Sequence, residues 1–542
     1  MKKIITGNLQ QMVKVNFGER SYFIIRISWS IQRLWQDILN FAGMRKSRNA
    51  FGWGLLVISM IWLALIFNSC YKDQFTTSAS AKLRFSKDTL RFDTVFTTVG
   101  SATRSFKIFN DADLPIKIQR ITLKNAGSSV FRFNVDGLPA FNKELLDIEI
   151  GAKDSIYIFL EVTIQPNQPL SISPFVIQDQ VQFITNGNNQ SVLLEAWGQN
   201  ANYIPSRYSN GRLALLSCDL QTETWDDPKP YVIYGVLFID SCTLRIPAGA
   251  RVYVHGGLVR TKNSVYDDGI IYVLDHGKLL IEGNAQKPVT MASDRLETEL
   301  KDEWGAWSGI RINTNSTGNR ISYADIKSAY VGVYADSASD VTIRNSKIYN
   351  TASSGILGVH ASVTVENCLT YNNGSHGIQF AYGGVYRVDY TTIASYENDK
   401  EGLSMNNLFL RDPERMLYSY YPLNAFITNC IITGSGSDEL DLTDFNGGKE
   451  PKGFNTVFSN CYVKAKELLT DKNYPKFFND CPGCIKANAN DTIFLKPANY
   501  DFRLDTNAVV NNKAKAIDRV KIDLPGVIRD VVKPDMGCYE LR

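Results

Sequence analysis

Histidine is scarce in this chain, with four in 542 residues, at positions 255, 276, 360 and 376. Their spacing matches no zinc pattern, and the single CxxC, Cys481–Cys484, has no second ligand pair to complete a zinc site. Thioredoxin-like use of that CxxC needs a βαβ setting that the surrounding sequence does not supply, so the expectation is a local disulfide or two structural thiols. A phosphate-binding glycine loop, a nucleotide fingerprint and a Ser/His/Asp motif are all missing. There is no basic stripe either. The formal charge is +3, but nine of the 58 Lys and Arg and only two of the 55 Asp and Glu fall in the first 69 residues, which leaves the remainder near −4. That balance gives no electrostatic case for nucleic acid.

What is present begins with a leader. Met44-Arg-Lys-Ser-Arg precedes an apolar run, Phe51–Phe67, and then Asn68-Ser69-Cys70. A basic end, an apolar stretch and small residues before a cysteine make an export signal, with no later run able to span a membrane. The cysteine makes the leader resemble a bacterial lipoprotein signal, which implies acylation of Cys70 and a lipid anchor in the cell envelope. Residues 1–43 read as an over-extended N-terminus, 44–70 as the signal peptide and 71–82 as a polar tether.

From Leu83 to about Ala201, period-2 segments such as LRFDTVF, RSFKIFN, IKIQRITL and SIYIFLEVTI alternate with Gly, Asn, Asp and Pro turns. This pattern predicts an antiparallel sandwich over 83–201. Asp93-Thr-Val-Phe96, Phe106–Asn110 and the final LLEAWGQ resemble the Ig-like domains of the major sperm protein and ASPM/SPD-2/Hydin group. The resemblance implies a spacer or docking module.

Further along, a phrase repeats: Gly309-Ile310, Gly332-Val333, Gly355-Ile356, Gly377-Ile378 and Gly402-Leu403, at intervals of 23, 23, 22 and 25. Such a period marks a solenoid. A second row, Asp325, Asn345, Asn367, Tyr390, Asn429 and Asn460, keeps step with it. Side chains alternate along a strand, so Ile310 and Ile312, Val333 and Ala335, Ile356 and Gly358, Ile378 and Phe380, and Leu403 and Met405 should point into one core. The Asn row is expected in left-handed turns, its amides bonding to neighbours above and below. Cys368, Cys430 and Cys461, each next to a row residue, should be small buried residues of the stack. The phrases VLFIDSCTLRIPAGARVYVHGG and WSGIRINTNSTGNRISYADIKSAYVGV resemble right-handed parallel β-helix proteins of the pectate-lyase-like superfamily, as in exported Bacteroidetes-type lipoproteins. ANYDFRLDTNAVV…PDMGCYE is similar to the closing segment of that group. The expected fold is all-β: an Ig-like sandwich, a connector or cap over 202–230, a right-handed parallel β-helix over 231–465, and a closing segment over 466–542.

One coil is irregular, because Gly402 to Asn429 takes 27 residues where the others take 12 or 13. An excursion near 407–423, NLFLRDPERMLYSYYPL, must leave the coil, and Thr261–Gly269 and Arg295–Trp307 are further long loops. Long loops on a solenoid are where function concentrates. The outward stripe carries Arg311, Asn313, Tyr334, Asp336, Leu357, Val359, Gln379, Ala381, Ser404 and Asn406. Candidate ligand-binding residues are Arg311, Tyr334, Asp336, Gln379 and Asn406, with Arg411, Arg415, Tyr418, Tyr420 and Tyr421 on the excursion. A hydrolase needs two carboxylates about 5–9 Å apart. A lyase needs a base, with a cation for the uronate charge. The stripe offers one base, Arg311, and one acid, Asp336. The reading is therefore a lipid-anchored outer-membrane protein with a non-catalytic recognition or scaffolding role, a polysaccharide being the candidate ligand. One alternative is a polysaccharide lyase or glycoside hydrolase using Arg311 and Asp336. The other is an accessory subunit of an outer-membrane assembly. No cofactor or metal is expected, with calcium entering only for a lyase.

Overall fold

The computed structural model describes residues 74–96, 101, 103–164, 175–204, 213–260, 265–297, 300–396, 398–412, 414, 417–445, 453–471 and 473–541. The expected N-terminal extension, signal peptide and Cys70 lie outside these residues.

Two five-stranded sheets form the first layer pair. One joins Arg84–Phe85, Arg104–Phe109, Ser155–Val162, Phe131–Val135 and Leu138–Pro139; the other joins Thr89–Phe96, Asn188–Gln199, Phe175–Thr185, Ile116–Leu123 and Glu144–Ile150. Alternation puts Ile108, Ile118, Phe131, Ile158, Val181 and Leu194 into one shared core. The sandwich predicted from period-2 patterning is present, but it is not wholly antiparallel: Thr89–Phe96 runs parallel to Asn188–Gln199.

The repeats wind a parallel β-helix with three faces. The Gly-led strands make the first face, from Ala214–Leu216 through Gly309–Ile312 and Leu403–Asn406 to Leu440–Thr443. Strands such as Asp340–Arg344 and Leu423–Thr428 make the second, and strands such as Val289–Ser293, Lys347–Tyr349 and Ile431–Gly434 the third. Two long strands, Ile356–Glu366 and Ile378–Asp389, bend from the first face to the second and pair on both. The stretch 202–230 supplies the first coil: Asn202–Ile204, Ala214–Leu216 and Thr222–Thr224 each pair in parallel with a strand of the next coil.

Ile310, Ile312, Val333, Ala335, Ile356, Ile378, Phe380, Leu403 and Met405 are all buried in one continuous core, as the alternation predicts. Each large aliphatic there contributes about 1.5–3 kcal/mol by leaving water. The leading glycines mark tight approaches between coils. A Cβ on Gly309, whose φ is +107, would lie 1.7 Å from the Val331 carbonyl oxygen, and one on Gly332 would lie 2.5 Å from the Gly355 oxygen. Gly309→Ala is expected to cost about 1–3 kcal/mol, read as a lower denaturant midpoint at unchanged slope.

The second row differs from its expected form in two ways. Its residues do adopt the left-handed conformation, at φ 48 for Asn345, 54 for Asn367, 59 for Asn429 and 51 for Asn460. Yet the member before Asn345 is Tyr323 (φ 49), because Ser322 is in register with Arg344; Asp325 falls two residues late. The amides also do not bond along the row. Asn345, Asn367, Asn429 and Asn460 donate to the carbonyls of Asp523, Ile522, Lys515 and Lys513 at 2.8, 2.6, 2.7 and 3.0 Å. Tyr390 keeps the row's geometry (φ 48), and its hydroxyl donates to the Lys515 carbonyl at 2.7 Å. An amide rung between coils does occur, but at another turn, where Asn372 donates to Asn350 at 2.7 Å.

The row is thus the docking line for the closing segment. Phe494, Phe502, Leu504, Val510, Val520, Leu524 and Met536 pack on the outward side of the third face, against Leu369, Ala394, Ile431 and Tyr462. Arg519 pairs with Glu366 at 2.8 Å and with Asp389, both buried, and burial pushes the Asp389 carboxyl up to about 6 against Arg519 and Arg387. Cys368, Cys430 and Cys461 are buried free thiols in the stack. Cys218–Cys242 and Cys481–Cys484 are disulfides.

Candidate ligand-binding face

Parallel register turns the outward residues of the first face into a single column. Phe238, Tyr272, Arg311, Tyr334, Leu357, Gln379, Ser404 and Asp441 follow one another as direct strand partners. At the usual spacing between strands the column runs roughly 34 Å. The stripe expected from alternation therefore exists, and it extends two coils beyond Arg311 at one end and one coil beyond Ser404 at the other.

The base and acid expected on the stripe, Arg311 and Asp336, are occupied with each other. Arg311 Nη2 donates to Asp336 Oδ2 at 2.7 Å, while Asp336 Oδ1 accepts from the Ser337 N–H at 2.8 Å. The guanidinium lies between two rings, 4.4 Å from the centre of Tyr334 and 5.4 Å from that of Tyr272. Burial works against its charge, but the Asp336 bond and the neighbouring phenols outweigh it and hold Arg311 above its ordinary value. A base for proton abstraction needs the reverse shift. Arg311, Tyr334 and Asp336 are brought together as a rigid rung, with the ring faces turned toward the guanidinium along the column. Gln379 and Asn406 are half-buried, and their carbonyl oxygens accept from the Ser354 hydroxyl (3.1 Å) and the Tyr382 N–H (3.0 Å).

The excursion folds as an antiparallel hairpin, Leu408–Asp412 with Leu417–Tyr420. It is moored at its base: Phe409 meets the edge of Tyr382 with ring centres 5.0 Å apart, and Tyr421 packs on His360 at 4.6 Å. Tyr421 is thereby a mooring residue. Tyr418 and Tyr420 stand out from the surface, 37% and 49% exposed, beside exposed Leu410 and Leu417. Arg411 is exposed on the same hairpin, and Arg415 lies outside the described residues.

Sequence reading missed the far end of the column. A cleft of about 300 Å³ there is lined by Glu401, Asp438, Asp441, Asp444, Glu467 and Asp471. Asp441 accepts the hydroxyls of Ser404 and Thr443 at 2.8 and 2.7 Å, and Asp444 accepts the Asn407 amide at 2.9 Å. Behind it, Glu439 is fully buried on the N–H groups of Gly402 and Gly436, and burial pushes its carboxyl up to about 7. Asp240, Asp275 and His276 also bring three donor atoms within 4.8 Å of one another, on half-buried and exposed turns. In both groups coil register brings distant residues beside ones close in the chain: Glu401, Glu467 and Asp471 beside Asp438–Asp444, and Asp240 beside Asp275 and His276.

A family model described as a right handed beta helix region matches residues 308–412, inside these coils. No curated protein matches the chain. Among solved structures, a protein of unknown function from Porphyromonas gingivalis aligns at 13% identity and TM-score 0.16 over 24% of this chain, which spans half of that protein's length. The catalytic unit of an α-1,3-glucanase from Streptomyces thermodiastaticus aligns at 11% identity and TM-score 0.25, covering 66% of this chain and 79% of that one. A periplasmic alginate epimerase aligns at 10% identity and TM-score 0.21, covering 56% and 67%.

Proposed function

We infer that this protein is a cell-envelope lipoprotein, anchored through Cys70, that recognises an extended and largely uncharged glycan along the first face of its β-helix without cleaving it there. The observation carrying this reading is the moored hairpin, which holds Tyr418 and Tyr420 exposed beside a straight column of half-buried polar and aromatic side chains. Aromatic edges and faces with nearby amides and hydroxyls suit hydroxyl-rich chains. Charge selects against a polyanion, because Arg311 is neutralised by Asp336 and the column ends in a cleft of six carboxylates. The Cys218–Cys242 disulfide supports export to an oxidising compartment.

Tyr418→Ala with Tyr420→Ala is expected to weaken retardation in gels containing a bound neutral polysaccharide by about tenfold in Kd, equivalent to about 1.4 kcal/mol, with the melting temperature unchanged. Equal retardation of variant and wild type would sink the reading. A second reading, docking to an outer-membrane protein, is favoured by Trp197 and Val176, direct cross-strand partners that are both exposed on the sandwich. Loss of partner capture in Trp197→Ser, with glycan binding intact, would speak for it.

A further inference from the structure

His255 and Asp294 are 39 residues apart in the chain, yet coil register makes them neighbours. His255 ends the strand Arg251–His255, and Asp294 follows Val289–Ser293, with Val254 directly opposite Ser293. The imidazole Nδ1 lies 2.9 Å from Asp294 Oδ2, and the Asp294 N–H donates to the Val254 carbonyl at 3.1 Å. Tyr234, opposite His255 on the preceding coil, stacks on the ring with centres 4.6 Å apart. The Asp294 side chain is 4% exposed and that of His255 37%. A carboxylate can only accept, so Nδ1 carries the ring proton and Nε2 presents a lone pair.

Both long loops that the fold and the glycan face leave unexplained leave the coil at this pair. The hairpin of Gly257–Arg260 with Val265–Asp268 starts two residues after His255, and the second loop begins at Arg295. Asp294 Oδ1 is buried with no hydrogen-bond partner among the described residues. A buried carboxylate with one oxygen on an imidazole and one unpaired is costly to fold, and the cost is unexplained if the pair merely closes a turn. Three charged groups face the imidazole: Asp294 and Asp268 favour its protonated form, and Arg295 opposes it. Burial also opposes the charge, but the Asp294 bond and the two carboxylates prevail, so His255 sits above its ordinary value.

We propose that His255 is the general base, Asp294 its positioning residue and Arg295 the oxyanion partner of a second site, which hydrolyses neutral O-acyl esters on the glycan. Three features select this chemistry. One carboxylate-backed imidazole suffices for ester hydrolysis, since the same nitrogen takes a proton and returns it. The surrounding Asp268, Asp294 and buried Glu297, against one Arg295 whose Nε lies 3.4 Å from Glu297, disfavour an anionic uronate. Arg295 is the one cation whose charge acts on the imidazole, and it supplies positive charge for the negative charge that develops. In the step, Nε2 removes a proton from water as its oxygen bonds to the acyl carbon. The carbonyl electrons move onto the oxyanion facing Arg295. Collapse breaks the acyl–oxygen bond, and the imidazolium returns the proton to the leaving sugar oxygen, giving a carboxylic acid and a free hydroxyl.

The substrate class rests on the glycan reading above; the chemistry does not, and the test separates the two. The full chain is assayed on p-nitrophenyl acetate, which needs no polymer face, and on acetylated xylan, with acetate release and gel retardation followed together. Wild type is expected to cleave both, and His255→Gln to lose at least about 100-fold on both at unchanged melting temperature. Asp294→Asn should retain reduced activity, with the midpoint of its pH–rate profile moved down, because the charge that raises His255 is gone; a merely structural role would not move that midpoint. Cleavage of the small ester alone, with no retardation, upholds the base and removes the glycan. Retardation without hydrolysis of either ester, or full activity in His255→Gln, overturns the proposal and leaves the glycan reading standing.

Discussion

Arg529→Ala is expected to destabilise the protein by about 3–5 kcal/mol, the largest effect of any single substitution considered. The guanidinium is only 2% exposed. It bonds Glu540 at 3.1 Å, the Asn367 side-chain oxygen at 2.8 Å and the Gly537 carbonyl at 2.9 Å, and lies 4.0 Å from the centre of the Tyr390 ring. Truncation leaves the buried Glu540 carboxylate without its cation and opens a gap between the closing segment and the Asn row. Arg503→Ala is the matched control: its pair with Asp501 is 64% and 23% exposed, so its loss should leave the unfolding midpoint close to that of the wild type. Urea unfolding of both variants checks this. Near-equal midpoints would mean that the closing segment is an appendage rather than part of the cooperative fold.

Glu439→Gln should change how stability depends on pH. Burial raises this carboxyl from 4.5 to about 7, against the N–H groups of Gly436 and Gly402 and the charge of Lys464. Between those values the native state holds the proton and the unfolded chain has released it, so stability falls as pH rises from about 4.5 to 7 and is level outside that window. At 1.36 kcal/mol per unit the full drop is about 3 kcal/mol. Other carboxyls titrate in the same range, Asp389 among them, so the informative quantity is the difference between variant and wild type. It should move by about 3 kcal/mol in the variant's favour between pH 4.5 and 7.5. A constant difference would show that Glu439 titrates like an exposed acid.

The Gly-Ile repeat made the solenoid legible, because a 22-residue period and strand alternation place side chains without any tertiary knowledge. The excursion was legible as excess length, though not as a hairpin, since its strands pair with each other across the unfavourable run Asp412–Leu417. The Asn row could be read as left-handed turns. Its partners could not, because Asn345 and Asn367 reach carbonyls 178 and 155 residues away. At Tyr390 the same holds: a phenol reaches Lys515 where an amide was expected. Arg311 and Asp336 were correctly placed on one face, but alternation cannot reveal that they bond each other. The His255–Asp294 pair had a signal that alignment of coils would have exposed: RVYV and TMAS are in register on neighbouring coils, so the residues that follow them, His255 and Asp294, meet.

The most direct test of the central claim is calorimetric titration of the full chain with neutral oligosaccharides of increasing length. A face that is one straight column beside a moored hairpin predicts affinity that rises with length and then levels off once the column is spanned, with the rise lost in the Tyr418 and Tyr420 variant. Binding that is absent at every length, or equally strong for a disaccharide and a long oligomer, would contradict it.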